Sequence, residues 1–291
     1  MKVGLSTYSL VDLIRDKKQM TVLDALDWIA ANGGEHAEIV PFGFDLVDND
    51  DLIQKIKSKA KALNLDLSAY SILANLIPET QEEYQAEIER VKQHVLIAQK
   101  LGVKYMRHDI SAFFRSAEIN RISNFEKDFP RMVQACQEIT NFAKQYGIIT
   151  TVENHGFFVN GSDRIEKLLL AVNDDNFKLT LDIGNFMCVD ENPIVGLKKI
   201  LPYATMIHLK DFYLRSGDVD MGEGYWFRTN VGDYLRGAIF GHGDMDVRKA
   251  LKLIKESGYE GYASLEFEGM EDCRLGSRIG MDNIKRIWDE V

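Results

Sequence analysis

The stretches TTVENHG (150–156), LTLDIGNF (179–186), TMIHLKDF (205–212) and ASLEFEG (263–269) decide the fold. In each, an apolar run of strand length ends on one ionisable residue: Glu153, Asp182, His208 and Glu266. Successive strand residues face opposite ways. One face therefore reads Leu179, Leu181, Ile183, then Ile207, Leu209, then Ala263, Leu265, Phe267, and suits packing against helices. The other reads Thr180, Asp182, Gly184, then Met206, His208, Lys210, then Ser264, Glu266, Glu268. The earliest of the four follows less cleanly, with Thr151, Glu153 and His155 on its polar side. Charged groups inside a strand-lined core are costly unless they are paired or bind metal. Three carboxylates and one imidazole can hold a divalent cation and leave room for a substrate.

Working outward, strands alternate with helices along the whole chain. Strands are expected at Val3–Tyr8, Glu35–Val40, Asp66–Ile72, Lys104–Asp109, Ile148–Asn154, Lys178–Ile183, Thr205–Asp211 and Tyr262–Phe267. Helices are expected over about 22–32, 51–63, 80–101, 129–146, 163–172, 194–200, 246–257 and 278–289. Thr21 and Asp246 read as N-caps, TQEE at Thr80 as a capping box, and Pro130 as a first-turn proline. The phrases AANGGEHAEI (30–39), QKLGVKYMRH (99–108), KQYGIITTVE (144–153) and KESGYEGYAS (255–264) each run helix end, glycine, strand. Glycine supplies the left-handed backbone that stops a helix. Helices between strands enforce parallel pairing. Eight units point to one closed (β/α)8 TIM barrel over residues 1–291, whose sites sit at the C-terminal strand ends. An open doubly wound sheet, the structural alternative, would place its ligand at one switch point. One connection is too long: Phe212 to Met245, rich in glycine and aromatics, reads as a lid, an interface segment or a surface excursion over the barrel mouth.

Composition narrows the classes. A net charge of −10 disfavours a nucleic-acid backbone as partner. Three widely spaced cysteines, Cys136, Cys188 and Cys273, without a CxxC pair, suit reduced thiols of a cytoplasmic protein. The start, MKVGLSTYSL, reads as a strand rather than a signal peptide, and no stretch reaches transmembrane length. Neither GxxxxGK[ST] nor a GxGxxG after the first strand is present, so nucleotide cofactors are not indicated.

Glu153, Asp182, His208 and Glu266, in this order at four successive strand ends, resemble the metal set of the xylose isomerase-like barrel superfamily. VENHG, LDIGN, HLKD and GHGDMDV are similar to phrases of that group. It includes sugar and sugar-phosphate epimerases, hydroxypyruvate isomerase, inosose dehydratase and an AP-endonuclease branch. The resemblance implies that Glu153 and Glu266 ligate one divalent metal (Mn, Co, Mg or Zn) and also move protons, with Asp182 and His208 as pure ligands. It implies a metal-dependent isomerase or epimerase of a ketose or sugar phosphate, working by proton transfer through a metal-stabilised enediolate. The alternative is a metal-dependent lyase of the inosose dehydratase type. Expected partners are a small sugar or sugar phosphate and further copies of this chain, with neither nucleic acid nor membrane. Asn185 stands where epimerases often have a substrate-touching histidine, and His242 where an acidic residue is frequent; both depart from the pattern.

Each assignment has a plainer competitor. Glu153 could pair with an inward Arg or Lys, Asp182 could cap its turn, and His208 could be a hydrogen-bonded core histidine. Glu268 competes with Glu266, which lies deeper in the apolar run. Lys210, Arg107, His155 and Asn185 are the candidate substrate contacts. Against that stand an ion pair of Lys210 with Asp211 or Glu268, and rim pairings for Arg107 and His155. If the substrate carries phosphate, Arg107, Lys210, Arg215 and Arg228 are the candidate anchors.

Overall fold

The architecture comes from a computed structural model that describes residues 1–111 and 119–291. Its first half alternates β1 (Lys2–Ser6), α1 (Val22–Ala31), β2 (His36–Ile39), α2 (Asp50–Ala62), β3 (Asp66–Ile72), α3 (Gln81–Leu101), β4 (Tyr105–His108) and α4 (Ile122–Lys144). The second half continues with β5 (Ile149–Glu153), α5 (Ser162–Val172), β6 (Phe177–Asp182), α6 (Pro193–Ile200), β7 (Ala204–Leu209), β8 (Asp211–Arg215), β9 (Phe227–Arg228), β10 (Tyr234–Ala238), α7 (Val247–Glu256), β11 (Tyr262–Leu265) and α8 (Cys273–Glu290). Strands β1 to β7 and β11 close a parallel barrel in the order β1-β11-β7-β6-β5-β4-β3-β2. This is the (β/α)8 architecture expected from the strand–helix alternation.

Local signals set the helix ends. Thr21 and Thr80 each accept from the amide of the third helical residue, and Asp24 and Glu83 reach back to complete both capping boxes. Asp246 accepts from the Lys249 amide at the start of α7. Apolar stripes of these helices cover the outward strand faces, so Leu179, Leu181, Ile207, Leu209, Ala263 and Leu265 are buried in one continuous core.

Two helices begin earlier than the expectation. α4 starts at Ile122 and carries Pro130 in its interior. Its first turns are held by packing that a propensity reading cannot see: Phe125 is buried against Phe129 and Phe158, and Arg164 and Lys167 stack on the Phe125 ring. α8 starts at Cys273, capped by Asp272, because its weak helix formers Gly276 and Gly280 are buried on the barrel side.

The connection after β7 is organised rather than plain loop. β8, β10 and β9 form a three-stranded antiparallel sheet, in that order, which we call the roof. Its attachment is specific. The Asp211 carboxylate accepts from the amides of Phe212, Gly241, Gly243 and Met245. A Cβ on Gly243 would lie 2.2 Å from Asp211 Oδ1, so only glycine fits the phrase GHGDM there. At Gly237 the roof touches the backbone after β11 through a bridge to Gly269. His242, by contrast, is exposed; the motif holds the roof through its glycines and backbone, not its imidazole.

Candidate functional site

Barrel register brings the four strand-end residues together. Glu153 and Asp182 are the last residues of β5 and β6, His208 is the penultimate residue of β7, and Glu266 directly follows β11. Asp182 and Ser264 both pair with His208 in register. Each of the four offers one ligand atom, and these atoms all lie within 4.8 Å of one another. All four are buried. Backbone clamps fix the positions. Asn154 exchanges two hydrogen bonds with the Asp182 backbone, at 2.8 and 2.9 Å. Ser9 bridges the Leu265 carbonyl and the Phe267 amide on either side of Glu266.

Several of the plainer readings hold alongside the cluster. Asp182 Oδ1 does cap its turn, accepting from the Gly184 and Asn185 amides at 2.7 and 2.9 Å. Its Oδ2 has no hydrogen-bond partner, although Lys210 Nζ lies 3.4 Å away. Glu153 does pair with an inward arginine, with Arg107 Nη2 at 2.9 Å from Oε2, while its Oε1 accepts from Asn185 Nδ2 at 2.9 Å. Lys210 lies 3.0 Å from Glu266 Oε2 and 3.2 Å from Glu268 Oε1; Asp211, the other suggested partner, is spent on the roof. Glu268 is partly exposed and sits beside the cluster rather than in it. Arg107 also donates to Asp109 at 2.9 Å, and the same carboxylate meets His155 Nδ1 at 3.1 Å.

One participant was not anticipated. Glu38, wholly buried on β2, reaches across the barrel to His208 Nε2, at 2.9 Å from Oε2 and 3.1 Å from Oε1. Its Oε1 also accepts from the Ser71 hydroxyl. A carboxylate on Nε2 favours the tautomer in which Nδ1 carries the lone pair. Nδ1 is the nitrogen that faces Glu153 and Glu266, at 3.5 and 3.4 Å. The signal was present in the sequence: Glu38 ends an inward-facing alternation with His36 in HAEI. It escaped notice because β2 is so short.

The electrostatics follow from burial and these contacts. Burial opposes ionisation of Glu153, yet Arg107 and His208 outweigh it and hold the carboxyl well below its usual range. Burial works the same way on Glu38, but His208 brings it down to about 2. Asp182 goes the other way. Burial, reinforced by Glu153 and Glu266 and opposed by Lys210, pushes it up to about 6. Burial works against the charged forms of His208 and Lys210, and the surrounding carboxylates reverse that and raise both. Stacked carboxylates of this kind call for a cation. Asp182 Oδ2 and His208 Nδ1 are buried without hydrogen-bond partners, Glu153 Oε2 meets only Arg107, and carboxylate oxygens with a neutral imidazole nitrogen are a donor set for a divalent metal. The residues present fit such an ion.

A cavity of about 730 Å³ opens above the cluster. Arg107, His155, Asn185, Lys210 and Glu266 line it, so the candidate substrate contacts share one space with Glu266, the cluster residue that faces the cavity. Roof residues Phe212, Tyr225 and Phe227 form part of its wall.

A family model described as xylose isomerase-like TIM barrel matches residues 26–287. The chain belongs to this family. Among its relatives, an inosose dehydratase of Clostridium botulinum is 22% identical over 223 residues, 74% of each chain. Two solved structures superpose closely. The IOLI protein with a bound zinc atom has a TM-score of 0.74 at 19% identity, covering 100% of this chain and 97% of that one. D-psicose 3-epimerase of Clostridium cellulolyticum H10, with D-tagatose, has a TM-score of 0.74 at 13% identity, covering 99% of each chain. At these identities the superpositions speak for the shared barrel.

Proposed function

We propose that this chain is a divalent-metal-dependent isomerase or epimerase acting on a ketose-type sugar. One observation carries the reading. Glu153 and Glu266, at the C-terminal ends of β5 and β11, come from strands three places apart around the eight-stranded ring, yet both reach the same cluster. Each has its own cationic neighbour, Arg107 for Glu153 and Lys210 for Glu266. A carbon-bound proton beside a carbonyl can then pass to one carboxylate while the other returns a proton from the opposite side. Return to the same carbon gives epimerisation, and return to its neighbour gives aldose–ketose interconversion. Glu153, Asp182, His208 and Glu266 would hold the metal, which supplies Lewis-acid stabilisation of charge on the substrate oxygens. Asn185, His155, Lys210 and Arg107 would orient the substrate from the cavity wall.

A dehydratase is the second reading. His155 on the cavity wall, backed by Asp109, offers a proton for a departing hydroxyl, and curated relatives are named inosose dehydratase. The acidic balance of the chain argues against a nucleic-acid substrate in either case. Three free, buried thiols fit a cytoplasmic setting, and the exposed Tyr225 and Val231 of the roof region fit self-association. No helix among the described residues is long and apolar enough to cross a membrane.

The test is NMR in deuterated water with a panel of ketoses and inososes, after chelation and again with added Mn²⁺. Metal-dependent exchange of a carbon-bound proton without loss of water supports the isomerase or epimerase reading; a product lighter by water moves the assignment to the dehydratase. Glu153→Gln and Glu266→Gln should each lower turnover by at least about a hundredfold with unchanged circular dichroism. Retained exchange in either variant removes that residue from the proton path.

A further inference from the structure

The charge and shape of the cavity constrain what it can hold, on the assumption that the proposed function is right about a sugar-like ligand. Five carboxylates line it, those of Asp12, Asp16, Glu266, Glu268 and Glu271, against the basic side chains of Lys17, Arg107 and Lys210. Every one of those basic groups is already committed. Lys17 pairs with Asp12 at 2.7 Å. Arg107 meets Glu153 and Asp109, both at 2.9 Å. Lys210 meets Glu266 and Glu268 at 3.0 and 3.2 Å, with Asp182 at 3.4 Å. His155, the imidazole on the wall, faces Asp109. Beneath the wall lie the buried carboxylates of Glu38, Asp109, Glu153 and Asp182, and Asp16 is paired with Arg15 at 2.7 Å; these nine carboxylates still outnumber the six positive charges of Arg15, Lys17, Arg107, Lys210 and one divalent cation.

The other two basic candidates for a phosphate anchor lie elsewhere. Arg215 pairs with Asp244 at 2.7 Å. Arg228 stacks on Tyr234 at 3.8 Å and donates to the Gly232 carbonyl. Neither lines the cavity. Among the described residues, therefore, a phosphate group entering the cavity would meet like charge, and each cation it could approach already sits against a carboxylate. Like-charge juxtaposition is a strong means of rejecting a ligand.

The same wall suits an uncharged ring or chain of hydroxyls. Tyr8, Phe42, Phe212 and Phe227 offer flat apolar faces for C–H surfaces. Asn185, His155 and Lys210 offer polar groups between them and the cluster. The Tyr8–Phe42 pair stands with ring centroids 5.5 Å apart on one side, and the Phe212–Phe227 pair at 5.7 Å on another.

We infer that the cavity selects an uncharged polyhydroxy ketone, open-chain or cyclic, and discriminates against its phosphorylated counterpart. The test uses the full chain loaded with Mn²⁺ and matched pairs: ketohexoses and inososes, each with and without a phosphate ester. Binding is read by calorimetry and by ligand-observed NMR at low and high salt. The uncharged member of at least one pair should bind at least about tenfold more tightly, with the gap shrinking as salt rises. Glu271→Lys, at an exposed rim position, should narrow that gap and leave the fold intact. Equal or tighter binding of the phosphorylated members overturns the inference, as does the absence of binding by every pair. Binding of the uncharged member without proton exchange or loss of water leaves this inference standing and removes the proposed reaction instead.

Discussion

Glu38 offers the most direct probe of the cluster, because it touches none of the other three strand-end residues and acts through His208. Its carboxylate stands 2.9 Å from Nε2, and both groups are fully buried. Glu38→Gln keeps the shape and removes the charge. A hydrogen bond to a charged partner contributes about 1.5–3 kcal/mol, against about 1 kcal/mol for a neutral one. The difference, about 0.5–2 kcal/mol, corresponds to a few-fold to thirtyfold in a binding constant. The amide adds a second effect: if its NH2 faces Nε2, the imidazole proton must move to Nδ1, which closes the nitrogen that faces the cluster. Loss of such an outer partner commonly weakens metal binding by about 10–100-fold. Glu38→Gln should therefore lower Mn²⁺ affinity by about tenfold, Glu38→Ala by more, and Ser71→Ala by less than either. The assay is competition against a chromophoric chelator, paired with nitrogen-15 NMR of the His208 ring in the Zn²⁺-loaded protein, where the ring should carry its proton on Nε2 alone. Unchanged affinity in Glu38→Gln, with Nε2 still protonated, would refute the reasoning.

Two further predictions concern stability. Burial holds the His36 imidazole neutral in the fold, down to about 4, with Nε2 at 3.1 Å from the Ala263 carbonyl and Nδ1 at 2.9 Å from Ser68 Oγ. An unfolded chain takes up that proton near the ordinary value of about 6.5, so stability falls as pH drops from 6.5 to 4, by roughly 3 kcal/mol for this residue. Urea unfolding across this range should show a shallower pH dependence in His36→Asn than in the parent, and equal slopes would reject the assignment. Gly243→Ala should destabilise by about 1–3 kcal/mol, since its methyl would meet the Asp211 carboxylate; an unchanged melting temperature would show that the roof attachment yields easily.

Strand parity carried most of what could be read beforehand. It placed Asp182, His208 and Glu266 on inward faces, and barrel closure then brought them to Glu153. Parity left Glu266 and Glu268 on one face, and only depth in the apolar run preferred Glu266; Glu266 is in the cluster, while Glu268 is partly exposed and pairs with Lys210. What parity could not supply was partnership across the barrel. Glu38 and His208 are 170 positions apart, and their contact exists only because β2 and β7 face each other through the closed ring. The starts of α4 and α8 were hidden for a related reason: Pro130 reads as a first-turn residue and Gly276 as a weak helix former until packing against the barrel is known. The roof strands were illegible because β9 is two residues long and the glycines around it erase any alternation.

The attachment of the roof has a bearing on how this barrel could be re-engineered. Asp211 follows Lys210 directly, and the same short phrase that delivers an ammonium to the cluster also gathers the amides of residues 241–245. The two ends of the insertion are thus one joint, and the segment between them is cargo. A graft that exchanges 216–233 for the corresponding stretch of another barrel leaves that joint whole, whereas one cut at 211 or 243 severs it and moves Lys210. The cavity wall that Tyr225 and Phe227 supply is in this sense portable, and the cluster beneath it is not.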